Sequence, residues 1–258
     1  MTLEGLDILL AEDNPTNQTV AIQMLETLGG RVTLAVDGLQ ALETAREARF
    51  DVFLIDIEMP RLSGIEVIRK LREPASGHAD KPMIALTAYV MPEHRLAISD
   101  AGADGVIAKP IMSIEGFGTD IRQMMSRRST PPLQQEVGEG ACDAGAEPAI
   151  NAATLNNLKG MIGDAAMSEI LQSARADIET VGTSLREAGQ RMDLCGLRAA
   201  SHTLISVAGT IGADRLYGLA KSINAAVHAD DAALISEMLQ RIAAEQQAVL
   251  SHLDRQLA

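Results

Sequence analysis

The stretch DVFLIDIEMPRLSG, residues 51–64, decides the fold of the N-terminal half of the chain. It opens with a continuous apolar run, VFLI, which is typical of a parallel strand that helices cover on both faces. Four similar runs alternate with helical patterns in the same half, at residues 7–11, 31–36, 83–87 and 105–108. Five such units predict one doubly wound α/β domain.

Reactive side chains follow the ends of these runs. They are Glu12, Asp13, Asp56, Thr87 and Lys109. In an open parallel sheet the carboxyl ends of all strands lie at one edge, where ligands bind. The sequence therefore predicts one site that contains three carboxylates, a hydroxyl and an ammonium group.

This combination of groups suits magnesium and phosphate. Carboxylates in one crevice repel each other unless a cation lies among them, and Mg²⁺ prefers hard oxygen ligands. Thr87 and Lys109 are donors for a phosphoryl group, and Asp56 is the best candidate for a nucleophile that becomes an aspartyl phosphate. A single aspartate or Lys-Pro pair after a strand is more often a turn residue, but the ordered set favours the functional interpretation.

Residues 1 to about 128 resemble the receiver domain of two-component response regulators. The matching motifs are AEDN at residues 11–14, DIEMPRLSG at residues 56–64, ALTA at residues 85–88 and AKPI at residues 108–111. The resemblance implies a flavodoxin-like α/β fold with a five-stranded parallel sheet of order 2-1-3-4-5. It also implies a cis Lys109-Pro110 peptide and Mg²⁺ held by Glu12, Asp13, Asp56 and the carbonyl of Glu58.

One departure from the receiver pattern concerns the switch that reports phosphorylation. Receivers usually have Tyr or Phe three residues before the lysine, whereas this chain has Val106. A receiver that serves as a waypoint for phosphoryl groups would tolerate this loss better than one that drives an output domain.

The composition changes after the α/β half. Residues 129–150 are rich in proline and glycine and lack periodicity, which predicts a flexible linker. After it, apolar residues recur at steps of three and four, which predicts amphipathic helices of a bundle. The predicted domains are a receiver at 1–128, a linker at 129–150 and an all-α four-helix bundle at 151–258.

The helical half contains the stretch ASHTLISVAGTIGADRL, residues 200–216. It resembles histidine-containing phosphotransfer (HPt) domains, and this resemblance implies that His202 carries a phosphoryl group and exchanges it with a receiver aspartate. At helical spacing, Leu197 and Leu204 lie on the face opposite His202 and suit the bundle core. His202 is therefore expected to point outward among small side chains.

The HPt motif is incomplete in this chain. Ile205 and Ser206 occupy the positions where the family has lysine and glycine, so the positive charge beside the phosphate is missing. Arg198, one turn before His202, and Ser206, one turn after it, are candidates to support the phosphate instead. Two interpretations stay open: a phosphorelay protein with an active His202, or a receiver-controlled binding protein with a degenerate HPt domain.

Composition limits the partners. The net charge of −13 argues against nucleic acid and anionic membrane. No apolar stretch approaches membrane-spanning length and no glycine-rich nucleotide loop occurs, so we expect a stand-alone cytoplasmic phosphotransfer protein without kinase activity. Its expected partners are a histidine kinase or hybrid kinase and another receiver or HPt protein. An enzyme that hydrolyses a small phosphate ester is the least favoured alternative.

Overall fold

The computed structural model describes residues 2–88, 92–111, 113–126 and 149–257. The chain divides into two compact units, Met1–Glu136 and Val137–Ala258. The predicted linker at 129–150 lies almost entirely outside the described residues, so its bounds stay a prediction. None of the helices in the described ranges combines the length and the apolar character that crossing a bilayer requires.

The first unit is an α/β domain. In its described part, five strands alternate with five α-helices and one short 3₁₀ turn at Pro74–Ser76. The strands are β1 (Asp7–Ala11), β2 (Arg31–Ala35), β3 (Val52–Asp56), β4 (Met83–Thr87) and β5 (Gly105–Ala108). The helices are α1 (Pro15–Thr27), α2 (Gly38–Glu47), α3 (Gly64–Arg72), α4 (Pro92–Asp100) and α5 (Ile114–Ser126).

The five strands form one parallel sheet of order β2-β1-β3-β4-β5, which confirms the predicted flavodoxin-like topology. Every residue of β3 and β4 is buried, as expected of central strands that helices cover on both faces. The edge strand β2 instead alternates between exposed and half-buried residues along most of its length. A continuous apolar run therefore matches the burial of the central strands β3 and β4 better than that of the edge strand β2.

Two helix caps fix where the loops at the carboxyl edge of the sheet end. The Asn14 side chain accepts a hydrogen bond from the Asn17 backbone N–H at 3.0 Å, and Pro15 occupies the first turn of α1. Ser63 and Glu66 form a reciprocal capping box at the start of α3. Both helices thus begin a few residues after a carboxylate of the predicted site.

The second unit is a bundle of four helices within its described residues. They are α6 (Ala152–Arg191), α7 (Leu194–Thr210), α8 (Asp214–His228) and α9 (Ala232–Leu257). Each helix packs mainly against two others, with α6 and α8 both between α7 and α9. Gly163, with φ 82° and ψ 170°, breaks α6 near its N-terminal end. This arrangement confirms the predicted helical bundle.

The predicted outward orientation of His202 is wrong. Its side chain is only 6% exposed, and all residues from Ala200 to Gly209 except Thr203 are buried. The reason is that α7 packs against both α6 and α8. Small side chains on α7 let α8 approach: Asn224 donates a hydrogen bond from Nδ2 to Ser201 Oγ at 2.9 Å.

Candidate functional site

A buried lysine joins two of the predicted carboxylates. Lys109 follows β5, and its Nζ donates hydrogen bonds to Glu12 Oε2 and Asp56 Oδ2, each at 2.8 Å. All three side chains are at least nine-tenths buried. The sheet therefore assembles residues from three separate strand ends into one ion-paired cluster, as the sequence predicted.

Asp13 completes a set of carboxylates that could hold a metal ion. One oxygen atom from each of Glu12, Asp13 and Asp56 lies within 4.8 Å of the other two. These are hard oxygen donors of the kind that Mg²⁺ prefers, so the three residues fit this ion. Asp56 Oδ1 also accepts a hydrogen bond of 3.3 Å from the Glu58 backbone N–H, which places the Glu58 backbone beside the cluster.

The electrostatics of the cluster favour a bound cation. Burial, together with the nearby Asp56 carboxylate, raises the pKa of Glu12 to about 7 against the opposing effect of Lys109. Burial by itself would lower the pKa of Lys109, but Asp56 and Glu12 outweigh this effect and raise it overall. When all four groups are ionised, three carboxylates and one ammonium leave an excess of negative charge that a divalent cation would offset.

The first turn of α1 holds Glu12 in place. Asn17 Nδ2 donates to Glu12 Oε1 at 2.9 Å, and Gln18 Nε2 donates to the Glu12 backbone carbonyl at 2.8 Å. Sequence reasoning did not identify these two residues as part of the site. A usable signal was present, because both are polar residues in the first turn of a helix that starts directly after the acidic pair.

Gly64 has a steric role next to Asp56. A Cβ atom at this position would collide with the backbone carbonyl oxygen of Asp56. The Gly64 N–H donates to the Ile57 carbonyl at 2.9 Å, so the start of α3 packs directly on the end of β3. This close approach explains the glycine that ends the motif D-x-x-MP-x-x-x-G.

Thr87 and the Lys-Pro pair lie at the carboxyl ends of two neighbouring strands, β4 and β5. Thr87 ends β4, is buried, and its carbonyl accepts a hydrogen bond from the Lys109 backbone N–H at 2.8 Å. The Lys109-Pro110 peptide is cis, as the resemblance implied. Val106 is half-buried and packs against the apolar core beside the sheet.

The candidate residues of the second unit differ in their exposure to solvent. His202 and Ser206 are buried, whereas Arg198 is exposed. The Arg198 Nη2 atom lies 3.4 Å from Nδ1 of His228, an exposed residue at the end of α8 that sequence reasoning missed. Arg198 and Ser206 therefore stay predictions as phosphate supports.

Comparison with known proteins identifies relatives of this chain. Residues 8–116 match the response regulator receiver domain. The sensory/regulatory protein RpfC of Xanthomonas campestris pv. campestris is 25% identical over 214 residues, which cover 81% of this chain and 29% of RpfC. The aerobic respiration control sensor protein ArcB of Escherichia coli (strain K12) is 36% identical over 111 residues, which cover 43% of this chain and 14% of ArcB. The chain thus spans less than a third of the length of either relative.

A solved structure is also similar. It is the receiver domain of a sensor histidine kinase from Pseudomonas aeruginosa, with a magnesium ion coordinated in its active-site cleft. Its sequence is 38% identical, and the match covers 47% of this chain and 98% of that chain with a TM-score of 0.44.

Proposed function

We propose that Asp56, in the two-component receiver domain that residues 8–116 form, accepts a phosphoryl group from a histidine kinase or a phosphotransfer protein. One observation carries this proposal: the buried Lys109 ammonium lies 2.8 Å from both Asp56 and Glu12. A fixed cation beside the attacking carboxylate is the arrangement that phosphoryl transfer to an aspartate needs, because negative charge accumulates there.

The transfer is a displacement at phosphorus. A carboxylate oxygen of Asp56 attacks the phosphorus atom of a donor phosphohistidine, and the new O–P bond forms as the P–N bond breaks. The donor imidazole nitrogen keeps the electron pair of the broken bond. Lys109 and the Thr87 hydroxyl would then donate hydrogen bonds to phosphoryl oxygens, which spread the charge over fixed donors.

Glu12, Asp13 and Asp56 would hold a Mg²⁺ ion, and the Glu58 carbonyl is the fourth proposed protein ligand. The supporting observation is the mutual approach of the three carboxylates within 4.8 Å. When bound, the ion would offset the repulsion between these carboxylates and an incoming phosphoryl group.

The helical unit is proposed to act as an HPt domain that exchanges phosphate through His202. The four-helix arrangement with His202 inside α7 supports this role. The alignment with the sensory/regulatory protein RpfC covers 214 residues, so it extends past Glu136 and relates part of the second unit to a sensory/regulatory protein. The proposed partners are then a histidine kinase or hybrid kinase and another receiver or HPt protein.

The burial of His202 favours a second candidate function for this unit. A side chain that is 6% exposed offers little area to an incoming phosphorylated receiver. In the second candidate, phosphorylation of Asp56 controls a helical unit that binds a partner, and His202 is a structural residue of a degenerate HPt domain.

One labelling experiment separates these functions. The full chain and its Asp56→Asn and His202→Gln variants are incubated with phosphoramidate and Mg²⁺, and bound phosphate is sorted by its stability. Acyl phosphate is labile to base, whereas phosphohistidine is labile to acid and stable to base. Loss of the base-labile phosphate in Asp56→Asn is expected, and equal labelling of that variant would overturn the receiver mechanism. Acid-labile phosphate that His202→Gln lacks would support the phosphotransfer role, and its absence would favour the second candidate.

A further inference from the structure

A phosphoryl group on His202 would be stabilised by nearby cations, and the sequence of α7 contains a single lysine or arginine, Arg198. The group carries up to about two negative charges. Ile205, one turn after His202, is apolar and fully buried. Arg198, one turn before His202, lies 3.4 Å from His228. The neighbouring helix α8 is therefore the next candidate source of a positive charge near His202.

Two cross-helix contacts fix how α8 runs against α7. Ser201 of α7 is hydrogen-bonded to Asn224 of α8 at 2.9 Å, and Arg198 contacts His228. Moving back along α7 by three residues thus corresponds to moving forward along α8 by four, so the helices are antiparallel. Lys221 lies one turn before Asn224 and is consequently level with the turn of α7 that follows Ser201.

Lys221 also lies on the side of α8 that faces α7 near His202. The α7–α8 groove is the space bordered by Arg198 and His202 of α7 and by Lys221 and His228 of α8. At helical spacing, Lys221, Asn224 and His228 share one face of α8, as Arg198 and His202 share one face of α7. The contact between Arg198 and His228 shows that these two faces meet at the same groove. A long, flexible lysine side chain at position 221 can therefore extend toward His202.

The ammonium group of Lys221 is available for such a contact. Lys221 is exposed, and its Nζ lies 5.5 Å from the centroid of the Tyr217 ring. Among the described residues, no carboxylate lies within ion-pair distance of it. An exposed contact between a cation and an aromatic ring is weak, so a phosphate would readily replace it.

We propose that Lys221 binds the phosphoryl group carried by His202, and so replaces across the α7–α8 groove the charge that Ile205 lacks. The proposal rests on the HPt role assigned to His202 above. It makes Lys221 a phosphate-binding residue of the second unit, in addition to the side chains of α7.

The test measures the pKa of the phosphoryl group itself. The full-length Asp56→Asn chain is labelled with phosphoramidate, and the ³¹P chemical shift of the phosphohistidine is titrated with pH. Lys221→Ala is expected to raise the second pKa of the phosphoryl group by about half a unit, the effect of one charge at roughly 6 Å in water. Lys221→Arg should keep the original value because it keeps the charge.

Lys159→Ala is the matched control. Lys159 is another exposed lysine of the same unit, on α6, and its removal should leave the phosphoryl pKa unchanged. A phosphohistidine at His202 whose pKa is the same in Lys221→Ala and in the parent would overturn the role of Lys221 and leave the HPt function standing. If the labelled protein shows no phosphohistidine signal that the His202→Gln substitution removes, the HPt function is overturned, and the role of Lys221 with it.

Discussion

The Nζ atom of Lys109 lies 2.8 Å from Oδ2 of Asp56, although 53 positions separate the two residues in the chain. The same ammonium is equally close to Glu12, so two buried carboxylates share one buried cation. Removal of one partner from a buried ion pair strongly destabilises a protein, because it leaves an unpaired charge in the interior. This contact is therefore a structural as well as a chemical element of the receiver.

Lys109→Met is expected to destabilise the receiver strongly. The substitution leaves Glu12 and Asp56 buried without their shared cation, which costs about 3 kcal/mol in the free energy of unfolding. Lys81→Met is the control, because Lys81 pairs with Asp51 at 3.6 Å in a partly exposed position worth at most about 1 kcal/mol. Urea titration without divalent cations compares the two. Equal losses in both variants would contradict the special role of the buried pair.

The stability of the metal-free receiver should fall as pH rises from about 4.5 to about 7. The folded pKa of Glu12 is raised from 4.5 to about 7, so its contribution is fully present below pH 4.5 and is lost as pH rises through the folded pKa. The shift corresponds to roughly 3 kcal/mol. Urea titrations at several pH values, with a chelator present, measure this dependence.

Glu12→Gln supplies the comparison for that pH series. Its amide does not titrate, so this variant should lack the decline between pH 4.5 and 7. Added Mg²⁺ should reverse the decline in the parent protein, because it favours the ionised carboxylates. Parallel pH profiles for the parent and Glu12→Gln would show that Glu12 has an ordinary pKa.

Much of this site could be predicted from the sequence because parallel topology is restrictive. Asp56, Thr87 and Lys109 each follow an apolar run, and the carboxyl ends of parallel strands meet at one edge. Glu12 and Asp13 were found for the same reason. Asn17 was missed because its contact with Glu12 depends on how the first turn of α1 is capped, which apolar periodicity does not report.

The orientation of His202 was predicted wrongly for a related reason. A helix in the interior of a bundle contacts two neighbours, so small residues on one face are compatible with either an open surface or a closely packed helix. Sequence periodicity does not distinguish these cases. The hydrogen bond between Asn224 and Ser201 shows that α8 occupies part of the space that the sequence left open.

Gly64→Ala is expected to lower the free energy of unfolding by about 2 kcal/mol or more, because its Cβ would overlap the Asp56 carbonyl oxygen. To relieve this overlap the end of β3 would have to move, and this movement of Asp56 should slow its phosphorylation. Gly116→Ala in α5 is the control, since its Cβ would meet only ordinary contacts and alanine favours a helix by about 0.5–1 kcal/mol. Calorimetry of both variants measures the contrast. A stable, normally phosphorylated Gly64→Ala protein would contradict the steric argument.

Asp13→Asn should weaken Mg²⁺ binding at least about tenfold, since it removes one of three hard anionic ligands from the cluster. Asp100→Asn, which changes an exposed carboxylate at the end of α4, should leave the affinity unchanged. Isothermal titration calorimetry at neutral pH compares the two variants with the parent. If Asp13→Asn keeps the affinity of the parent for Mg²⁺, the ion does not bind at the three carboxylates.

His202 should react with diethyl pyrocarbonate roughly tenfold more slowly than His228. Imidazole modification needs access to solvent, and His202 is 6% exposed whereas His228 is exposed at the end of α8. Access to His202 therefore requires local opening of the α7–α8 groove, which reduces the reactive population. Mass spectrometry of peptides after brief modification measures both rates in one sample, and Arg198→Ala controls for the contact between Arg198 and His228. Comparable rates at the two histidines would show that the groove opens readily in solution, and this result would strengthen the phosphotransfer role of His202 against the degenerate alternative.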